Sequence, residues 1–348
     1  MLHFLVPGPL TTPTGGYVYD RHVIAGLRAL GWQVGVQEFD DGFPFPSAAA
    51  LEDAESRLAA LPDDALVMID GLALGAMPEC AERHAARLRL VGLVHHPLAL
   101  ETGLAADAAR RLEGSERRAL ACVRRVIVTA PRTAATLAGW NVPPALIGVV
   151  EPAVEAPAVV PERLPAATPR LLCIATLTER KGHTLLFDAL AELAALPWSL
   201  RCIGSRDRSP CTTAHLEEKL QQLDLTQRIV LAGDLPETEM SAAYAAADLF
   251  VLPTLYEGYG MVVAEAIAHG LPVVATATGA IPELVPEDAG IVVVPGDGPA
   301  LRVALAALLG DRQRLIRLTK GARRAAAGAR CWQQAADEMA TLLQKVAA

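Results

Sequence analysis

The chain has 348 residues, 52% hydrophobic and 20% charged, with a formal net charge of -8. That balance excludes a disordered chain and disfavours nucleic acid as the main partner, because phosphate backbones select basic surfaces. The length suits two domains of about 150 residues better than one core.

The start, MLHFLVPGPL, lacks the charged beginning and long apolar region of a signal peptide, and no run approaches a membrane span. Six scattered cysteines without metal-ligand spacing read as buried small hydrophobes of a reduced protein. A cytoplasmic location is expected.

In the first half, apolar runs at 2–6, 33–38, 66–70, 90–94, 126–129 and 146–150 predict strands. Amphipathic stretches at 17–30, 51–61, 75–87, 107–124 and 132–139 predict the helices between them. Thr14-Gly15-Gly16 falls between the first strand and first helix, where glycine lets a ligand approach the backbone and the helix start favours an anion. The spacing in PGPLTTPTGG is not a dinucleotide fingerprint. His95 and His96 end the fourth strand, where an imidazole can donate to a ligand hydroxyl or carbonyl near neutral pH. His95, directly after the apolar run, is favoured, although alternation of faces leaves the choice open. Asp20, Arg21 and Glu101 are polar residues near the same strand ends and are further candidates for contacting a ligand.

The helix at 107–124 repeats arginine at a spacing of seven (Arg110, Arg117, Arg124), interrupted by Glu113 and Glu116. It reads first as a salt-bridged surface, with peripheral membrane contact through 107–125 as the second reading. The proline-rich run from Glu151 to Pro169 predicts a moderately stiff linker.

The second half alternates again, with strands near 171–175, 199–203, 229–232, 249–252, 273–275 and 291–294. Its helices are expected near 181–195, 213–224, 237–246, 261–269 and 297–325, with a last one at 332–346. Two parallel sheets with helices on both faces follow. Arg180, Lys181 and Gly182 occupy the loop after the first of these strands, where lysine can neutralise a diphosphate and arginine can grip it with two bonds.

The most informative segment is TLYEGYGMVVAEAIAHGLPVVATATG: a buried strand, a glycine turn, and a short helix from Met261. Such a helix start offers backbone N–H groups to a phosphate. Glu257 lies in the turn and Glu265 in the helix, on the order of 12 Å apart by helical rise. That is too far for two carboxylates sharing one scissile glycosidic bond, but it suits acids gripping both ends of a long polyhydroxylated ligand.

AAADLFVLPTLYEGYG, the EX7E pair Glu257 and Glu265, and GLPVVATATGAIPELV together resemble the donor-binding signature of glycosyltransferase family 4. The resemblance is strong in the second half and only an outline in the first. It implies a GT-B fold: two doubly wound Rossmann-like domains facing a central cleft. The expected division is 1–155 for the acceptor, with a returning helix at 331–348, and 156–330 for the nucleotide-sugar donor. It implies a retaining, metal-independent transferase of hexosyltransferase type, with no cofactor and with a UDP- or GDP-sugar as co-substrate. The acceptor (glycan, lipid-linked or small molecule) is left unidentified.

By the same resemblance Glu257, His95 and Lys181 are catalytic, Glu257 touching the sugar and Glu265 the ribose. Gly15, Gly16, Arg180, Lys181, Gly204, Leu235, Gly258, Tyr259, Gly260, Met261 and Val262 complete the donor site. The family pattern has Gly-Arg just after the strand, where this chain has Ala175-Thr176. Either Arg180 replaces that arginine from the neighbouring position, or the site uses one cation fewer. A nucleotide-sugar epimerase of the same fold and a non-catalytic nucleotide-sugar binder are the alternatives.

Overall fold

The computed structural model describes residues 1–348 except 13, 102, 158, 159, 161, 163 and 348, and omits the side chain of Glu237. The chain divides into two units, Met1–Pro152 with Arg330–Ala348, and Ala153–Ala329. Each is built on a parallel six-stranded sheet.

In unit 1 the strands are β1 (Leu2–Pro7), β2 (Val34–Phe39), β3 (Leu66–Asp70), β4 (Arg89–Val94), β5 (Arg125–Val128) and β6 (Ile147–Val149), in the order β2-β1-β3-β4-β5-β6. The central strands were legible as apolar runs because a parallel sheet covered by helices buries both faces, and β3 is buried at every position, whereas the edge strand β2 carries Gln37 and an exposed Glu38. Alternate residues feed different cores. Phe4 and Met68 pack with the helix Gly15–Ala29, whereas Leu5, Val67 and Ile69 pack with the helix Ala48–Ala59. The helix Trp332–Ala347 joins the first of these cores through Met339 and Leu343, both fully buried. Truncating either would cost roughly 2–5 kcal/mol. Gly26 lets that helix come close, since a Cβ there would lie 2.5 Å from the Ala336 Cβ.

Unit 2 comprises β7 (Arg170–Ile174), β8 (Ser199–Ile203), β9 (Ile229–Leu231), β10 (Leu249–Leu252), β11 (Val273–Thr276) and β12 (Gly290–Val293), in the order β12-β11-β10-β7-β8-β9. One continuous core surrounds the sheet, centred on residues such as Phe187, Phe250, Leu252 and Val274.

Several helices differ from the periodicity. Within the stretch 75–87 the helix is only Pro78–His84, opened by Pro78 in its first turn, and a separate short helix, Gly71–Leu74, precedes it. The stretch 297–325 breaks between Gly298–Leu309 and Arg312–Ala326, where Asp311 accepts from the Arg314 N–H as an N-cap. The helix expected at 181–195 is a short 3-10 turn, Glu179–Lys181, followed by His183–Ala191, since Gly182 is left-handed. The proline-rich segment is less of a free linker than its composition suggests. Its described part packs on unit 2, where Pro165 and Val160 accept bonds from Arg312 and Arg323. Residues 158, 159, 161 and 163 of that segment lie outside the described residues.

The arginine-rich helix is Ala106–Leu120. Arg111 pairs with Asp107, Arg117 with Glu113, and Arg118 with Glu79 and Glu82. Glu116 is not part of that surface but is 1% exposed. Its Oε2 accepts from the Leu98 N–H at 2.8 Å, and its Oε1 has no partner among the described residues. Among the described residues no helix is long and apolar enough to cross a membrane.

Two glycines set the loops at the sheet ends of unit 2. Gly182 has φ +72°, and a Cβ there would overlap the Pro253 carbonyl oxygen. Gly279 has φ +52°, and a Cβ there would overlap the carbonyl oxygens of Glu257 and Gly258. Gly182→Ala is therefore expected to destabilise the fold by more than about 1 kcal/mol, read as a lowered midpoint in urea. A second prediction concerns Glu116. Burial pushes its carboxyl up to about 8, partly offset by the Leu98 N–H. A raised folded pKa gives stability that is full below the ordinary value near 4.5 and is lost as pH rises through about 8. Glu116→Gln should flatten that loss, measured as the denaturation midpoint at acid, neutral and alkaline pH.

Candidate functional site

In unit 2 the chain winds from β7 to β8 and β9 in one direction and from β10 to β11 and β12 in the other. The switch point lies between β7 and β10, and ligands of doubly wound sheets bind at the carboxyl ends of strands there. The loops after these two strands carry Lys181 and Glu257. The Leu255 N–H donates to the Arg180 carbonyl at 2.7 Å, and the Arg180 guanidinium donates to the Tyr256 carbonyl at 2.9 Å. Thr254 Oγ1 donates to the Tyr256 carbonyl at 2.7 Å, and Thr276 donates to the Thr254 carbonyl. So braced, Lys181 Nζ lies 2.5 Å from Glu257 Oε2, with the two side chains 13% and 18% exposed. Arg180, expected to grip phosphate, holds the Glu257 loop by its backbone.

Gly260, with φ +96°, is the N-cap of the helix Met261–Ala268 and brings no side chain to cap it. Gly258, Tyr259, Met261 and Val262 lie at this helix start, next to Glu257. Glu265 is further along, where the Tyr244 hydroxyl donates to its Oε2 at 2.5 Å. Burial, reinforced by the Glu265 carboxylate, pushes the Tyr244 phenol well above its ordinary range, so it stays a donor. Tyr244 also stacks on His269, 4.7 Å between ring centroids. The EX7E acids thus have separate partners, Lys181 for one and Tyr244 for the other.

Gly204 follows β8 and packs its backbone on Ala175, so a Cβ there would overlap the Ala175 carbonyl oxygen. Leu235 is partly buried against the core of unit 2.

Unit 1 has its own switch point, between β1 and β3. A cavity of about 300 Å³ opens there, reached by Thr14, Gly16, Asp70, His95 and Glu101 among apolar walls that include Phe45 and Leu112. Gly15 and Gly16 form the first turn of the helix Gly15–Ala29 rather than a loop before it. A Cβ on Gly16 would lie 3.4 Å from the His95 ring. His95 Nε2 is 3.0 Å from Asp20 Oδ1 and 3.5 Å from Asp70 Oδ2. Asp20 is fully buried, and its Oδ2 has no partner among the described residues. Asp20, a sequence candidate for contacting a ligand, is thus buried against His95 and is not among the residues that line the cavity.

Burial disfavours the imidazolium, but Asp20 and then Asp70 outweigh it and raise the His95 pKa. Asp70 is pushed up to about 7 by burial and by Asp20, against the pull of His95 and the Leu72 N–H. His95, Asp20 and Asp70 also have the spacing of a cation site. His96 lines the same cavity. Tyr244 and Asp70 were missed from sequence. Asp70 did carry a signal, as an acid closing the apolar run LVMID.

Residues 168–311 match the family model described as glycosyl transferases group 1. The chain is 28% identical over 324 residues to the MMP alpha-(1->4)-mannosyltransferase of Mycolicibacterium hassiacum, covering 88% of this chain and 77% of that protein. Against three further curated transferases the match is local, and the chain spans only 42%, 42% and 22% of their lengths. Among solved structures, sucrose-phosphate synthase from Thermosynechococcus elongatus superposes with a TM-score of 0.81 at 21% identity, covering 99% of both chains. Anabaena Alr3699/HepE in complex with UDP and glucose gives 0.76 at 19% identity, covering 99% of this chain and 100% of that one. At such identities the likeness is one of fold. The two parallel six-stranded sheets with their flanking helices are a GT-B fold, whose second unit carries a glycosyl transferases group 1 match.

Proposed function

We propose that this protein is a retaining glycosyltransferase that moves a sugar from a nucleotide-diphosphate sugar to a hydroxyl acceptor. The observation that carries the reading is the Lys181–Glu257 pair at the β7/β10 switch point, beside a helix start whose N-cap is Gly260. Support also comes from the group 1 match over 168–311 and from the transferase names of the relatives.

In this reading the diphosphate sits on the N–H groups of residues 259–262. Negative charge grows on the leaving phosphate in the transition state, and fixed donors aimed there lower the barrier. Lys181 exchanges Glu257 for the phosphate, which frees the carboxylate to hold the sugar hydroxyls. Glu265, steadied by Tyr244, accepts from the ribose. Lysine and helix end supply the positive potential, so the reading assigns no divalent ion to this step. Retention follows front-face attack, with the leaving phosphate taking the acceptor proton. The cavity of unit 1 receives the acceptor, and His95 donates from its imidazolium form to a sugar hydroxyl.

UDP- and GDP-sugars screened by thermal shift should raise the midpoint for one base class. Glu265→Ala should then weaken nucleotide binding about 10- to 100-fold with a smaller effect on kcat, whereas Glu257→Ala should mainly lower kcat. Wild-type kinetics for both variants would sink the assignment. For unit 1, Asp20→Asn removes the carboxylate that raises His95. Its imidazole should titrate at lower pH by NMR, and the alkaline limb of kcat/KM should move to lower pH with it. An unmoved limb would remove His95 from the mechanism.

A further inference from the structure

Cys173 on β7 and Cys202 on β8 are register partners in a parallel ladder, so both thiols leave the same face of the sheet. His183, the first residue of the helix His183–Ala191, directs Nε2 to within 3.8 Å of Cys173 Sγ. One ligand atom from each of the three lies within 4.8 Å of the others, and none of the residues is more than 2% exposed. The His183 Nδ1 is buried with no partner among the described residues.

We propose that Cys173, Cys202 and His183 form a site for a thiophilic d10 metal ion, zinc(II) or copper(I). Tetrahedral zinc, with Zn–S about 2.3 Å and Zn–N about 2.0 Å, sets sulfur and nitrogen ligands about 3.5 Å apart and two sulfurs about 3.8 Å apart. The observed spacing closes on an ion with small side-chain shifts. Two thiolates and one imidazole select soft ions over magnesium or calcium.

Charge favours zinc(II), since two thiolates, a neutral imidazole and a divalent cation sum to zero, as a buried site requires. Copper(I) leaves one negative charge, which Lys181 offsets in part. The pair is already unequal. The neighbouring Cys202 thiol draws Cys173 down against its burial, helped by His183 and Lys181, and the same contact pushes Cys202 up. Binding releases the remaining thiol protons to solvent.

The site has a structural consequence. Cys173 and His183 flank residues 174–182, the segment that carries Arg180 and Lys181. An ion held by both, and by Cys202 on the neighbouring strand, staples the base of that loop.

The test uses the full reduced chain, stripped with a chelator and exchanged without oxygen against zinc(II), copper(I) or magnesium. About one zinc or copper(I) per chain should survive gel filtration, and no magnesium; the two soft-metal arms identify the ion, and retention in either supports the site. Cobalt(II) should give a thiolate charge-transfer band that Cys173→Ser removes. Because serine in the core can unfold the unit, alkylation of the wild-type chain in mild denaturant is the second readout. The soft metal should slow labelling of Cys173 and Cys202 by about tenfold or more, with Cys211 and Cys331 unchanged. No retained metal, protection confined to Cys211 or Cys331, or a Cys173–Cys202 disulfide in the chain isolated without oxidant would overturn the proposal.

Discussion

The reversal of winding between β7 and β10 places two loops side by side, and the backbone then locks them together. Leu255 bonds the Arg180 carbonyl, Arg180 bonds the Tyr256 carbonyl, and Gly182 leaves room for Pro253. The backbones that carry Lys181 and Glu257 are thus held side by side by one main-chain bond and one bond from the Arg180 guanidinium. Two unit charges 4 Å apart attract by about 4 kcal/mol at an effective dielectric near 20, a gain that desolvation of a partly buried pair largely offsets.

Unit 1 uses the same winding with different chemistry. At its switch point two acids share one imidazole, with Asp20 and Asp70 both buried against His95. Burial first and the Asp20 carboxylate second push Asp70 up to about 7, while the two acids raise His95 against its own burial. Unit 2 therefore presents a balanced pair, and unit 1 a cluster whose charge state depends on pH.

The twelve strands among the described residues fall where they were expected; central ones such as β3 and β10 are buried throughout and read as unbroken apolar runs, whereas β2 carries Gln37 and Glu38 and β8 Arg201. Helix ends were harder. The break at Asp311 depends on a side chain turning back to the Arg314 N–H, which a periodicity count does not see. The second half of the candidate site was visible because Glu257, Gly260 and Glu265 lie within one turn and one helix. Partners brought in by topology were not. Asp20 is 75 residues from His95, and Tyr244 is 21 from Glu265 with an apolar strand between them. Cysteines that looked scattered meet through strand register, as Cys173 and Cys202 do.

The place of the helix Trp332–Ala347 bears on how the protein is made. Its Met339 and Leu343 pack in the same core as Leu2 and Phe4, so unit 1 draws on both ends of the numbering while unit 2 is a single stretch. During synthesis the residues of β1 leave the ribosome more than three hundred positions before the helix that covers them. Unit 2 can complete its sheet while unit 1 still exposes the apolar face around Val23 and Leu27. The first half of the chain is thus the later to finish, against the usual order of vectorial folding, and its uncovered face is the surface that chaperones would meet.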